Sequence, residues 1–315
     1  QAHSGLCNCL CNAEDGQKDK SVAQVIKFTF LIWALLALPA CTTINPQSRS
    51  TEITDAAPGK FSHRVFDEVL EQVVDARGLV DYRALKKNPD RFEQYYGSIS
   101  LYSPDSHPQL FATEPERLAY WINAYNAAVI KIVLQTYPIA SVADVTPPFP
   151  LFFLPDKTGF FFFQRPVFGG VSTSLYYLES NVIRERFNEP RIHFALNCAS
   201  LGCPRLPRVA FEGKDLDRQL DHESRKFFSE PRNFRVDIPA RRVYLSSILD
   251  WYRDDFVDWY ADRFQDREPT LLKFVALYLD EGKKAQLSAL PPDFSIEFVP
   301  YDWGLNEQKR DEAHD

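Results

Sequence analysis

The sequence predicts an α+β fold in one domain, a central and mostly antiparallel sheet packed by several helices. Three observations predict it. Helical and extended patterns are mixed without the regular alternation that builds a parallel sheet. NFRVDI and RRVYLS are strand patterns joined across a Pro-Ala turn, as in a hairpin. The stretch 60–306 has a globular composition and length enough to bury a substantial core, in a chain that is 45% hydrophobic and 25% charged.

The elements follow in order. FSHRVFDEVLEQVVD sets Val65, Phe66, Val69, Leu70 and Val73 at helical spacing. GLVDYRAL is a short extended piece after a glycine, and RFEQYYGSISLY starts a second helix. EPERLAYWINAYNAAVIKIVLQTYP is the longest helix pattern, with Pro115 near its start and Pro138 closing it. FPLFFLP and TGFFFFQRPVF read as extended, so the aromatic stretch 149–163 is expected as buried strands or as the lining of a groove. Gly169 and Gly170 mark a turn, and STSLYYLESNVIRERF is helical, with Ser172 or Ser174 as its N-cap. RIHFAL reads as a strand ending at Asn197 and Cys198, and KDLDRQLDHESRKFFSE as an amphipathic helix. After the hairpin, Ser247 is placed to cap ILDWYRDDFVDWYADRF. PTLLKFVALYLDEG is a further helix, and FSIEFVPYDWGLN supplies a last strand and a C-terminal motif.

The ends carry a different message. The chain opens on Gln and contains no Met, so residues 1–24, with Cys7, Cys9 and Cys11, are read as a non-native upstream extension or part of a fragment. Residues 25–41, VIKFTFLIWALLALPAC, have a basic residue, an apolar run too short for a comfortable transmembrane helix, and small residues before a possible cut. LPAC resembles a bacterial lipobox, with Cys41 as the lipidated residue and Pro39 as a less usual occupant. Residues 42–59 are polar and rich in Thr, Ser and Pro, as a flexible linker would be. Residues 307–315 read as a charged, disordered tail. These features predict an exported cell-envelope lipoprotein, on the periplasmic face of the outer membrane if the cell is Gram-negative. The membrane is then a partner through the N-terminal lipid. A net charge of −7, without basic clusters interleaved with aromatics, argues against nucleic acid as a partner.

The chemistry concentrates in RIHFALNCASLGCPRL, residues 191–206. If IHFAL is a strand, His193 and Ala195 share the face opposite Ile192, Phe194 and Leu196, so the histidine faces away from the core. Cys198 sits past the element's end, where side chains are available to a cleft. A cysteine nucleophile needs a base or positive charge close by, and His193 is the nearest histidine in the chain. His63 and His222 lie on helices among polar neighbours, and His107 in a turn. Two other uses of the same residues stay open. Cys198 and Cys203 can close a disulfide across ASLG, as an oxidising compartment permits. His193, Cys198 and Cys203 can also be read as three zinc ligands, although the spacing lacks a C-x-x-C knuckle and no obvious fourth ligand follows.

Asn123 and Asn126 lie three apart on one side of the long helix, amid Trp121, Ile122, Tyr125 and Ala127. Buried amides need partners. They either tie down neighbouring loops or hold an imidazole as the third member of a Cys-His-Asn arrangement. Glu116 and Glu179 are explained by helix-end electrostatics alone.

Five motifs in this order, ERLAYWINAYNAAVIKIVLQTYP, SLYYLESNVIR, PRIHFALNCASLGCPRL, LSSILDWYRDDF and YDWGLN, resemble the family catalogued as domain of unknown function 547. The resemblance spans Arg117 to Asn306, with GLVDYRAL as an upstream member. It implies a domain found in bacteria, often with export signals, and in plants, and it marks His193, Cys198, Asn123 and Asn126 as counterparts of motif positions. It also implies that plant members keep the first cysteine and vary at the second. The resemblance also implies Glu-His at a position where this chain has Glu179 and Ser180, a departure that puts in doubt any mechanism needing a histidine there.

Two functions of different class follow. One is a cysteine hydrolase of peptide or amide bonds, papain-like or transglutaminase-like in chemistry and arrangement. Cys198 attacks, His193 moves the proton, Asn123 or Asn126 orients His193, and backbone N–H groups of Ala199–Gly202 hold the oxyanion. The substrate is an unidentified small molecule or peptide, and no cofactor is expected. The other is a non-catalytic, lipid-anchored ligand-binding or scaffold domain with a structural Cys198–Cys203 disulfide.

Overall fold

A computed structural model describes residues 41–47, 59–148 and 150–309. The upstream extension, residues 25–40 of the signal segment, residues 48–58 of the linker and the end of the tail lie outside the described residues.

Strand β1 (Thr42–Ile44) pairs in parallel with β2 (Gln164–Phe168). This corrects the expectation that the flexible linker begins at residue 42. TTI is made of β-branched residues, which suit a pleated strand, and Ile44 is fully buried. The Tyr96 hydroxyl donates to the Ile44 carbonyl at 2.8 Å, and the Gln47 N–H donates to Glu93 at 3.0 Å.

Helix α1 (Arg64–Val73) buries the five residues that the spacing selects. His63, just before it, is not among polar neighbours. It is buried in the core with Nδ1 2.8 Å from the Tyr95 hydroxyl. Helix α2 (Tyr82–Lys87) takes the second half of the expected extended piece, because Asp81 caps it by accepting from the Ala84 N–H at 2.8 Å. Helices α3 (Asp90–Leu101) and α4 (Glu114–Thr136) follow. Thr113 and Glu116 form a reciprocal capping box at the start of α4, which is why Glu116 belongs to the helix end. Most of α4 is buried, including Lys131, which pairs with Glu93 of α3.

The aromatic stretch is not a pair of strands. Leu151–Phe153 is a 3₁₀ turn that leaves Phe152 and Phe153 exposed, and Gly159–Phe163 is a π-helix that buries Phe160 and Phe161. Pro155, a left-handed Lys157 (φ 73°) and the close approach of Gly159 to the backbone of Val145 prevent a continuous strand. A Cβ on Gly159 would lie 1.9 Å from the Val145 carbonyl oxygen. Strand β2 then turns through Gly169 and Gly170 into β3 (Val171–Ser172).

Ser174 caps α5 (Leu175–Tyr177), accepting from the Tyr177 N–H at 3.2 Å, and α5 runs on as the π-helical segment Leu178–Arg184. RIHFAL is a second correction. Pro190–Phe194 is a 3₁₀ turn, with Pro190 at its start and the Glu189 side chain accepting from the Arg191 N–H. A short apolar run does not distinguish strand from helix by periodicity, and among the described residues no strand pairs with it.

Helix α6 (Leu216–Ser229) leads to the predicted hairpin, β4 (Phe234–Asp237) antiparallel to β5 (Arg242–Ser246). The expected long helix after Ser247 is broken at Tyr252 into α7 (Ile248–Trp251) and α8 (Arg253–Phe264). Ser247 makes no capping bond; its hydroxyl donates to the Val299 carbonyl at 2.5 Å. Helices α9 (Leu271–Ala276) and α10 (Glu281–Ser288) precede β6 (Ser295–Val299), which pairs in parallel with β5.

The fold is therefore α+β, and among the described residues two three-stranded sheets, each half parallel and half antiparallel, stand in place of one central antiparallel sheet. Each sheet accompanies its own apolar cluster. The first gathers around α4, and the second around Phe194, Phe227, Phe228 and Phe274. Ile192 belongs to the first and Phe194 to the second, so His193 stands at their junction. Part of the tail is also tied down: Gln308 donates from its backbone to the Val80 carbonyl at 3.0 Å and from its side chain to Val73 at 2.9 Å. Among the described residues no helix is long and apolar enough to cross a membrane.

Candidate functional site

His193 is buried, and its Nε2 lies 2.7 Å from an Asp255 oxygen. Asp255 is in the first turn of α8, where the helix N-terminus favours a carboxylate. Arg184 donates to both Asp255 oxygens, at 2.8 and 2.9 Å. Burial acts to raise the Asp255 carboxyl, but hydrogen bonds from His193 and Arg184 outweigh it and hold the group well below the ordinary carboxylate range. An ionised Asp255 accepts the Nε2 proton, which leaves Nδ1 as the basic nitrogen. None of the described residues hydrogen-bonds Nδ1, and the ring borders a cavity that Cys198 also borders. The break at Tyr252 lets that ring stack on His193, with centroids 3.9 Å apart and planes at 24°.

Cys198 is joined to Cys203 by a disulfide, with Cα atoms 6.3 Å apart. Cys198 is the more accessible of the two. The Tyr301 hydroxyl lies 3.1 Å from the Cys198 sulfur and 3.0 Å from that of Cys203. Ala199 has φ 62°, a left-handed conformation that its Cβ disfavours, held by its N–H donating to the Asn197 side chain at 2.9 Å. Past it the loop is laced to the C-terminal motif, Leu201 N–H to the Gly304 carbonyl and Gly202 N–H to that of Asp302, both at 2.7 Å. The amides expected to hold an oxyanion at Ala199, Leu201 and Gly202 are thus already engaged. The Cys198 N–H donates to the Cys203 sulfur at 2.9 Å, and the Tyr301 hydroxyl stands against both sulfurs.

Neither asparagine reaches the imidazole, which corrects their expected orienting role. Asn123 exchanges two hydrogen bonds with the backbone of Phe211, at 2.8 and 2.9 Å. Asn126 donates to the Ala195 carbonyl at 3.0 Å and accepts from the Asn197 N–H at 2.8 Å. Asn126 therefore positions the backbone that carries Cys198, and Asp255 fills the place by His193.

Glu179 lies in the π-helical segment, an arrangement that often accompanies functional sites. It is buried and accepts one hydrogen bond from Tyr125, at 3.2 Å, and one from Tyr252. Burial pushes both phenols well above their ordinary range, and the Glu179 charge pushes them further, so both stay donors. Trp251, Tyr301, Trp303 and Phe161 complete the cavity wall. Asp255, Tyr252 and Tyr301 escape a reading of local pattern, yet DWYRDDF and YDWGLN contain them. The zinc arrangement does not form, since the two sulfurs are bonded to each other. Among the described residues no group of three or more His, Cys, Asp or Glu is placed to hold a metal ion.

A family model described as a protein of unknown function, DUF547, matches residues 110–228. The match includes α4, Glu179, His193, Cys198 and Cys203, and ends before Asp255 and Tyr301. No curated protein and no solved structure matches the chain.

Proposed function

We propose that this chain, which through residues 110–228 belongs to the DUF547 family, is a cysteine hydrolase of peptide or amide bonds armed by reduction of Cys198–Cys203. The observation that carries the proposal is the His193–Asp255 pair at 2.7 Å, bordering the same cavity as Cys198. A thiol reductant converts the disulfide to two thiols. Nδ1 of His193 then takes the Cys198 proton, and the thiolate attacks the substrate carbonyl carbon. Once reduction separates the two sulfurs, the Cys198 N–H, which in the oxidised chain donates to Cys203, and the Tyr301 hydroxyl meet the oxygen that gains the negative charge. As the tetrahedral adduct collapses, the C–N bond breaks and His193 returns its proton to the departing amine. Water, deprotonated by His193, then attacks the thioester carbonyl; the C–S bond breaks, the carboxylic acid leaves, and the Cys198 sulfur takes the proton back from His193. Asp255 holds the imidazole in the required tautomer and stabilises its charged form.

The disulfide favours a second reading, a scaffold or ligand-binding domain in which Cys198–Cys203 is permanent. Acyl trapping separates the two. Reduced protein treated with an activated ester should gain one acyl group on Cys198 by intact mass and peptide mapping, whereas oxidised protein and Cys198→Ala gain none there. An unmodified Cys198 in the reduced protein supports the scaffold.

The proposal places the protein outside the cytoplasm, held at a membrane by lipid on Cys41. Support comes from the apolar run ending in LPAC and from Cys41 being exposed and free of a disulfide. Palmitate labelling that is lost in Cys41→Ser tests it; labelling that persists, or never occurs, removes it.

A further inference from the structure

We propose that the cavity beside Cys198 binds a primary ammonium group, and that Glu179 and the surrounding aromatic rings select it.

Two carboxylates serve this region. Asp255 is neutralised by the bidentate Arg184. Glu179 is buried, lines the cavity, and takes part in no ion pair among the described residues. Its two donors are the neutral phenols of Tyr125 and Tyr252. A carboxylate offers about four acceptor positions, so two remain for a ligand. The Arg184 guanidinium acts on Glu179 through space but gives its hydrogen bonds to Asp255, so the Glu179 oxygens have only neutral donors, and a cation that enters the cavity and bonds them directly offsets the cost of burying that charge.

The walls make the same selection. Trp251, Tyr301 and Trp303 pack together, with centroid separations of 4.9 Å (Trp251–Tyr301), 4.5 Å (Tyr301–Trp303) and 6.0 Å (Trp251–Trp303). Tyr125, Tyr252 and Phe161 line the cavity with them. Aromatic faces are electron-rich and attract ammonium groups, the more so away from water. Two of these rings already meet a cation within the chain: the Lys157 ammonium lies 4.2 Å from the Trp303 centroid and the Arg184 guanidinium 4.9 Å from that of Tyr252.

Size narrows the class. The cavity holds about 60 Å³, space for a few waters and therefore for a small headgroup. A primary ammonium on a short alkyl arm fits this description, as in a lysyl or other diamino-acid residue near the scissile bond. That substrate class rests on the hydrolase reading, whereas ammonium binding is measured without turnover.

The test is a titration of the full-length, oxidised chain, followed by tryptophan fluorescence and calorimetry, with n-butylammonium chloride and with n-butanol at matched ionic strength. The expected result is saturable binding of n-butylammonium at least about tenfold tighter than n-butanol, a preference that Glu179→Gln reduces to within about twofold. Equal binding of the two probes, or a preference unchanged in a folded Glu179→Gln protein, overturns the proposal. If the Glu179→Gln protein fails to fold, the wild-type comparison decides alone. Ammonium preference without acyl trapping on Cys198 leaves the binding site standing and removes the hydrolase; acyl trapping without ammonium preference does the reverse.

Discussion

His193 Nε2 and Asp255 Oδ2 lie 2.7 Å apart although 62 residues separate them in sequence. The aspartate fixes which imidazole nitrogen carries the proton. Asp255→Asn keeps the shape but can present its amide hydrogens to Nε2 and favour the wrong tautomer. On the proposed hydrolase function, turnover by the reduced protein should fall roughly a thousandfold, mainly in kcat, with KM nearly unchanged. Steady-state kinetics on an activated ester check this, and an unchanged kcat would contradict the assigned role.

The Cys198–Cys203 crosslink also bears on stability. Its residues are five apart, and closing so short a loop restricts the unfolded chain by about 2 kcal/mol. Urea denaturation with and without a dithiol should show a loss of that order on reduction, with the reduced protein still folded. Collapse of the fold on reduction would make the disulfide structural and remove it as a switch.

Acid should weaken the fold before the site carboxylate is reached. Burial lowers the His63 imidazole from 6.5 to about 3 in the folded protein. The unfolded chain therefore binds a proton that the native state refuses between those values. His63 contributes stability fully above pH 6.5 and loses it as pH falls, at about 1.4 kcal/mol per pH unit. Asp255, whose folded value is depressed, adds a loss below the ordinary aspartate range. Urea midpoints at pH 7 and pH 5 should differ accordingly, and His63→Gln should flatten the difference. A slope that survives in His63→Gln would assign it to another group.

Lys131 and Glu93 form a buried ion pair. Lys131→Met leaves Glu93 with the Gln47 N–H and no cation, at a cost of about 3–5 kcal/mol. Pairing it with Glu93→Leu should recover most of the loss in chemical denaturation, since the uncompensated charge is then gone. A double variant as unstable as the single one would show that packing, not charge, is responsible.

The legible parts of the molecule are those with local causes. A long helical pattern bounded by Pro115 and Pro138 marks α4, and strand patterns around a turn mark the β4–β5 hairpin. His193 and Cys198 stand out through their rarity and closeness. The errors arise where several conformations satisfy one pattern. RIHFAL is short and apolar, and Pro190 with Glu189 settles it as a 3₁₀ turn. Asn126 has the right chemistry to orient an imidazole, but the backbone of Ala195 and Asn197 takes its amide first. Asp255 looks like an ordinary acidic residue in a helical first turn. Only the tertiary packing of α8 against the 190–194 turn gives it His193 as a partner, and no local spacing encodes that contact.

The central claim is that His193 activates Cys198. It is tested most directly by the rate at which iodoacetamide alkylates Cys198 in the reduced chain at pH 6.5, followed by peptide mapping to separate Cys203. The account predicts alkylation at least about tenfold faster than a free cysteine thiol, reduced to near the free rate in His193→Ala. Equal rates in wild type and His193→Ala would contradict it.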